Sequence, residues 1–292
     1  MAAIVIVVGA VVLVPLRPGS AAAEVLHDAA SLSAEAVDID VPEGEFLEVQ
    51  TTSTLLSLWD VDMPAQWARF NNGDPRAAEA GLSVQSTRTL YVPSNRDDTW
   101  VLVDSAPQVV AEYGARADDA RSDWDKLNAA TRPKSTVYPG GVSTTPDGGA
   151  RSYFDGRDVY GEMPRDPDAL LDWWRERSGL SGGEADRWAV SGIAQGLSVN
   201  LMPADLRAAM FEALALLDNA DVIDTNGAQT TLAFAWDLGA RSIETRLTID
   251  AERGLLVGTK ELEHLDRELF PSPVVLQESV VSTSIVDATD SP

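Results

Sequence analysis

The chain has 292 residues, 45% of them hydrophobic, which is enough for one sizeable core and excludes disorder as the state of its body. Against 22 Lys and Arg stand 46 Asp and Glu, a formal charge of −24 that excludes the basic surface needed by a nucleic-acid partner or a polybasic membrane contact. There is no Cys and there are two His, His27 and His264, so disulfides, thiolate metal centres, a lipidated Cys, a cysteine nucleophile and sites built from several imidazoles within one chain are excluded as well.

Ala2 to Leu16 (AAIVIVVGAVVLVPL) carries no charge. As a helix it is about 22 Å long, short for a bilayer core of about 30 Å but right for the apolar region of a signal peptide. Ser20-Ala21-Ala22-Ala23 then offers small residues of the kind signal peptidase accepts. No basic residue precedes the run and Arg17 follows it, which fits instead the end of a single-pass anchor extended through Ala23 in a chain that starts late. A third reading is a buried strand over Ile4–Val8. Residues 1–23 are thus expected to be a signal peptide or membrane anchor. Residues 24–286 would be a single extracytoplasmic domain and 287–292 a frayed tail, with the protein at the cell membrane or secreted.

Beyond the anchor, residues 24–36 read as a short helix. Between Glu45 and Leu58, Leu47 and Val49 alternate with Glu48 and Gln50, the period of a strand. Leu82–Val92 and Trp100–Val103 are two more strands, with Pro93, Asn95 and Asp98 as turn residues. Residues 115–131 form a polar helix carrying Trp124 and Leu127. The Gly- and Pro-rich stretch 132–165 reads as a long loop or cover.

Asp166-Pro167-Asp168 is a helix start, and Leu170, Leu171 and Trp174 share the apolar face that follows. Glu184–Leu197 is a second helix, weakened by Gly192 and Gly196. Pro203 opens a third, with Leu206, Met210, Ala213, Leu214 and Leu217 at helical spacing. Leu232, Phe234, Trp236 and Leu238 then alternate with smaller residues, Gly239-Ala240 turns the chain, and Ile243, Leu247 and Ile249 alternate with Glu244, Arg246 and Asp250. This is an antiparallel hairpin with one buried face. Leu255–Leu262 returns after a turn, and Val280–Val286 closes the sheet. Strands, then helices, then strands predict an α+β fold: an antiparallel β-sheet with helices packed on one face.

No phosphate-binding glycine loop occurs, and the one Gly-x-Ser-x-Gly spacing, Gly179–Gly183 (GLSGG), falls between two predicted helices rather than on the strand-to-helix turn of a nucleophile elbow. His27 and His264 read as solvated surface residues. The acid pairs Asp38/Asp40, Asp60/Asp62, Asp97/Asp98 and Asp118/Asp119 lack the spacing and the conformational glycine of a calcium loop, so no metal, no cofactor and no catalytic residue is expected. Of eight Trp, Trp173 and Trp174 adjoin on a helix and point apart, while Trp236 lies on a buried strand face.

Three stretches carry a resemblance. Met163–Leu170 (MPRDPDAL), Pro203–Leu217 (PADLRAAMFEALALL) and Arg246–Gly258 (RLTIDAERGLLVG) resemble the helix start, the third helix and the closing hairpin of an actinobacterial family of membrane-anchored proteins of unknown function. Ala251 and Arg253 depart from that family's turn, and Asp218–Val222 lacks its Pro-Gly. The family looks like a distant cousin of the LolA-like and RseB-like folds. The resemblance implies a curved half-barrel sheet, an apolar cavity under its helices and an extracytoplasmic role tied to envelope signalling. The expected function is therefore non-catalytic binding or sensing. A lipid, lipopeptide or lipoprotein would be held in a cavity lined by Trp174, Met210, Phe234 and Trp236, with an envelope protein as a second kind of partner. The alternatives are a structural interaction domain without a small ligand, which predicts a closed core and an exposed apolar patch, and a hydrolase of unfamiliar type.

Overall fold

The computed structural model describes residues 18–35, 40–63, 68–70, 74–144, 150–152, 160–265 and 268–287. The apolar run 2–16, Asp38, parts of the Gly- and Pro-rich stretch and the last five residues lie outside these. Among the described residues, no helix is long and apolar enough to cross a membrane.

Ten strands make one antiparallel sheet: β1 (Phe46–Trp59), β2 (Ala80–Pro93), β3 (Thr99–Asp104), β4 (Gln108–Tyr113), β5 (Lys134–Pro139), β8 (Ala220–Asn226), β9 (Gln229–Asp237), β10 (Ser242–Asp250), β11 (Leu255–His264) and β12 (Val274–Val286). Their order is β5-β3-β2-β1-β12-β11-β10-β9-β8, with β4 also on β2. Strands β6 (Val142–Thr144) and β7 (Ala150–Ser152) pair separately. The sheet stays open. β12, the strand expected to close the sheet, is not at an edge. It lies in the middle, with Ser279 opposite both Ser53 of β1 and Thr259 of β11, and joins the early strands to the late ones.

The outer edge of β2 is shared. β3 pairs with Arg88–Tyr91 and β4 with Gly81–Gln85. Ser105 bridges the break, donating its N–H to the Thr87 carbonyl and accepting the Thr87 N–H on Oγ, both at 2.8 Å.

Among the described residues, five α-helices accompany the sheet: α1 (Pro18–Glu35), α2 (Ala117–Asn128), α3 (Pro167–Ser178), α4 (Gly183–Ser198) and α5 (Ala204–Ala215). Asp166 caps α3 as its sequence predicts, its carboxylate accepting the Ala169 N–H at 3.0 Å, and Gly179 ends the helix in the left-handed conformation. Helix α1 starts six residues before the expected domain boundary and runs through it, burying Ala22, Leu26, Ala29 and Ala30. Ser33 fastens its end by donating to the Gly254 carbonyl at 2.8 Å.

Register shows which face the helices use. Ile243, Thr245 and Leu247 share a side with Thr259 and Glu261, with Gln277 and Ser279, and with Ser53 and Leu55. The main core lies on this side. Leu232, Phe234, Trp236, Ile243, Leu247, Ile249 and Leu256 pack against α1, α3, α4 and α5. Also on this side, Leu201 closes Leu47, Val49, Leu90, Val92 and Val281, while α2 closes Trp59, Ala80, Leu82 and Val84. Glu263 is fully buried. Arg241 neutralises it through two hydrogen bonds of 2.9 and 2.7 Å, which hold the guanidinium above its usual range.

The opposite side carries polar ladders, such as Thr52–Thr87, Thr231–Thr248 and Lys260–Glu278. Part of it is closed by Leu56, Leu58, Leu265, Phe270 and Val274.

Candidate functional site

The four residues expected to line a cavity meet in one hydrophobic cluster, with Met210, Phe234 and Trp236 in its buried core and Trp174 packed against it. Met210 and Phe234 are fully buried and Trp236 nearly so, with its indole N–H donated to Thr245 Oγ1 at 3.1 Å. The rings of Phe234 and Trp236 lie almost parallel, 6.3 Å apart. Trp174 packs on Trp173 and Trp188 and presses on α4 at Gly192, where a Cβ would come within 2.4 Å of its ring. At Gly196 a Cβ would meet Met202 at 2.5 Å and Met210 at 3.5 Å. The two glycines that read as weakening α4 in the sequence are thus what lets it approach Trp174, Met202 and Met210. The Trp174 indole N–H is buried without an acceptor among the described residues.

Two clefts lie elsewhere on the described residues. One, at the α3–α4 turn, is lined by Arg175, Glu176, Leu180, Ser181, Gly182, Ala185 and Asp186, and the Arg175–Asp186 ion pair at 2.6 Å occupies it. The other lies on the helix side of β1, β2 and β12, encloses about 270 Å³ and is lined by Ser53, Leu55, Ser57, Val84, Ser86, Trp124 and Gln277.

This second cleft follows from strand sequence and helix placement. On β1, positions 53, 55 and 57 face the side that bears the helices, and their partners in register are Ser86, Val84 and Leu82 on β2. Where β9 and β10 present Leu, Phe, Trp and Ile to their helices, this part of the sheet presents hydroxyls around Leu55, which is 52% exposed. Ser53 and Ser279 share a hydrogen bond of 2.8 Å across the strands.

Helix α2 forms the wall and is pinned by one buried carboxylate. Asp123 accepts the indole N–H of Trp59 at 3.2 Å and a guanidinium N–H of Arg69 at 2.6 Å. Arg116 lies 4.8 Å above the Trp59 ring and pairs with Glu79 at 3.1 Å. One turn along α2 from buried Ala120, Trp124 meets Phe70 edge to face at 5.4 Å and lines the cleft.

The titratable groups weighed from the sequence stand apart from it. His27 pairs with Glu212 at 2.7 Å on the surface, and half-exposed His264 lies 4.0 Å from Glu244. Asp60 and Asp97 belong to turns and Asp119 pairs with Arg116. Among the described residues, no three His, Cys, Asp or Glu side chains gather as a metal site would need. Asp74 and Asp205 are held below the usual carboxylate range by hydrogen bonds from Arg76 and Arg165, and both are surface groups.

Compared with known proteins, the chain matches no family model, no curated protein and no solved structure.

Proposed function

We propose that this chain is a non-catalytic extracytoplasmic binding or sensing domain whose ligand sits in the open cleft on the sheet rather than within the helix–sheet core. The supporting observation is the break in cover over β1, β2 and β12. Polar and apolar side chains converge there beside an aromatic wall, between stretches of the sheet that are covered by apolar packing. Among the described residues, the lining holds no acid, no base and no histidine. Its serines therefore lack the adjacent base that turns a hydroxyl into a nucleophile, which favours binding over hydrolysis. The half-barrel likeness fits this reading, since a curved sheet with helices along one face leaves such a trough between helical covers. The apolar run Ala2–Leu16 would bring the domain to the membrane, where envelope lipids, lipopeptides and proteins are its potential partners.

An interaction domain without a small ligand is the second reading. It is favoured by exposed Ile223 on edge strand β8 and exposed Leu216 just after α5. Native mass spectrometry of the whole chain, with analysis of an organic extract of the same sample, separates the two. Binding in the cleft predicts a co-purifying molecule that is lost in Ser57→Leu and kept in Leu216→Ser. A clean apo mass in all samples contradicts it and turns the search to protein partners.

A further inference from the structure

Resting on the cleft as the binding site, we propose that the group it accepts is a neutral sugar ring, with its C–H face against Trp124 and its hydroxyls on Ser53, Ser86 and Gln277. Size comes first. Pockets for drug-sized ligands enclose roughly 300–1,000 Å³, so a space of about 270 Å³ takes one ring and leaves the rest of a larger ligand outside.

Charge comes second. The lining is uncharged within a protein of net charge −24, so an anion meets no cation in the cleft and a repulsive field around it. An acyl chain is disfavoured because it would cover the Ser57 and Ser86 hydroxyls and the Gln277 amide without offering them partners. A quaternary ammonium suits an aromatic wall but makes no hydrogen bond to those same groups.

A sugar ring meets both sides of the lining. Ser53 and Ser86 are register partners, about 5 Å apart at Cβ, and Gln277 lies opposite Leu55, the next residue of β1 on the same face. These polar groups reach different hydroxyls of one ring, while Ser57, about 13 Å along the strand from Ser53, stands at the far end of the cleft. In the Ser53–Ser279 pair one hydroxyl donates to the other, which leaves the acceptor's own proton free for an outside oxygen. Leu55, Val84 and Trp124 supply the apolar surface for the C–H groups.

The test is titration of the whole chain with chitotriose, cellotriose and phosphocholine, followed by tryptophan fluorescence and calorimetry. The expected result is saturable binding of at least one oligosaccharide, weakened tenfold or more in Trp124→Ala and in Ser57→Leu, several-fold in Gln277→Ala, and unchanged in Leu216→Ser. Ser57→Leu fills the cleft without touching the anchorage of α2, so it remains informative if Trp124→Ala loosens that helix. No saturation with either sugar, or saturation indifferent to Ser57→Leu, overturns the assignment. If phosphocholine alone binds and Ser57→Leu abolishes it, the sugar fails and the cleft stands. If a co-purifying ligand persists in Ser57→Leu, both fail.

Discussion

The late strands and the early strands of this sheet run in the same antiparallel order but face their helices with different residues. On β9 and β10 the facing positions are Leu232, Phe234, Trp236, Ile243 and Leu247, and four helices cover them. On β1 and β2, between Leu201 and α2, they are Ser53, Leu55, Ser57, Val84 and Ser86, and the lining stays open. Burial of apolar surface contributes about 25 cal/mol per Å², so the first set draws helices onto the sheet and the second does not. The covered half supplies stability, and the uncovered strip is where the proposed ligand would sit.

The sharpest way to break this comparison is to truncate one facing residue in each half. Phe234→Ala is expected to lower unfolding free energy by about 3–5 kcal/mol, measured by urea denaturation. Leu55→Ala, exposed at the equivalent layer, is expected to change it by about 0.5 kcal/mol or less. Similar losses at both positions would mean that the strip is packed against something and is no cleft. Next in size is Gly192→Ala. Its methyl has to displace the Trp174 ring, and overpacking of this kind costs about 1–3 kcal/mol. A neutral result would reveal slack around Trp174 and revive the cavity expected there.

The covered half was readable because periodicity reports burial. The hairpin of β9 and β10, the capped start of α3 and the helical spacing of Leu206, Met210 and Leu214 all emerge as their patterns predict. β4, β5 and β8 were not readable. They lie at sheet edges, and Asp221, Asp224 and the alternately exposed QVVAEY lack the apolar face that marks a strand. The central place of β12 depends on pairing with β1 more than 200 residues earlier in the chain, which no local pattern encodes. Trp124 was legible as an aromatic residue on a polar helix. The cleft was not, because it is defined by where helices stop. Asp123 gave no signal until Trp59 and Arg69 were brought to it.

The start of the domain gives a smaller effect. A chain beginning at Glu24 loses the first third of α1 with buried Ala22, and its stability is expected to fall by about 1 kcal/mol relative to the full chain. Equal melting temperatures would show that this turn is dispensable to the covered half.

The smallest effect is in acid. Asp74 and Asp205 titrate below their unfolded values, so each contributes stability that is fully present above about pH 4 and is lost as the pH falls through its folded-state value. Both pairs are exposed and screened. Replacing Arg76 and Arg165 by Met is expected to flatten the acid limb of the stability curve slightly and to leave neutral stability almost unchanged. An unaltered limb would assign acid sensitivity to other carboxylates.

The most direct test of the central claim is a crystal of the whole chain soaked with a library of small polar and apolar fragments. The expected result is fragment density between Trp124 and Gln277 over Ser53 and Ser57, with none beside Met210 and Phe234. Density within the helix–sheet core, with the strip over β1 empty, would contradict it and restore the cavity as the binding site.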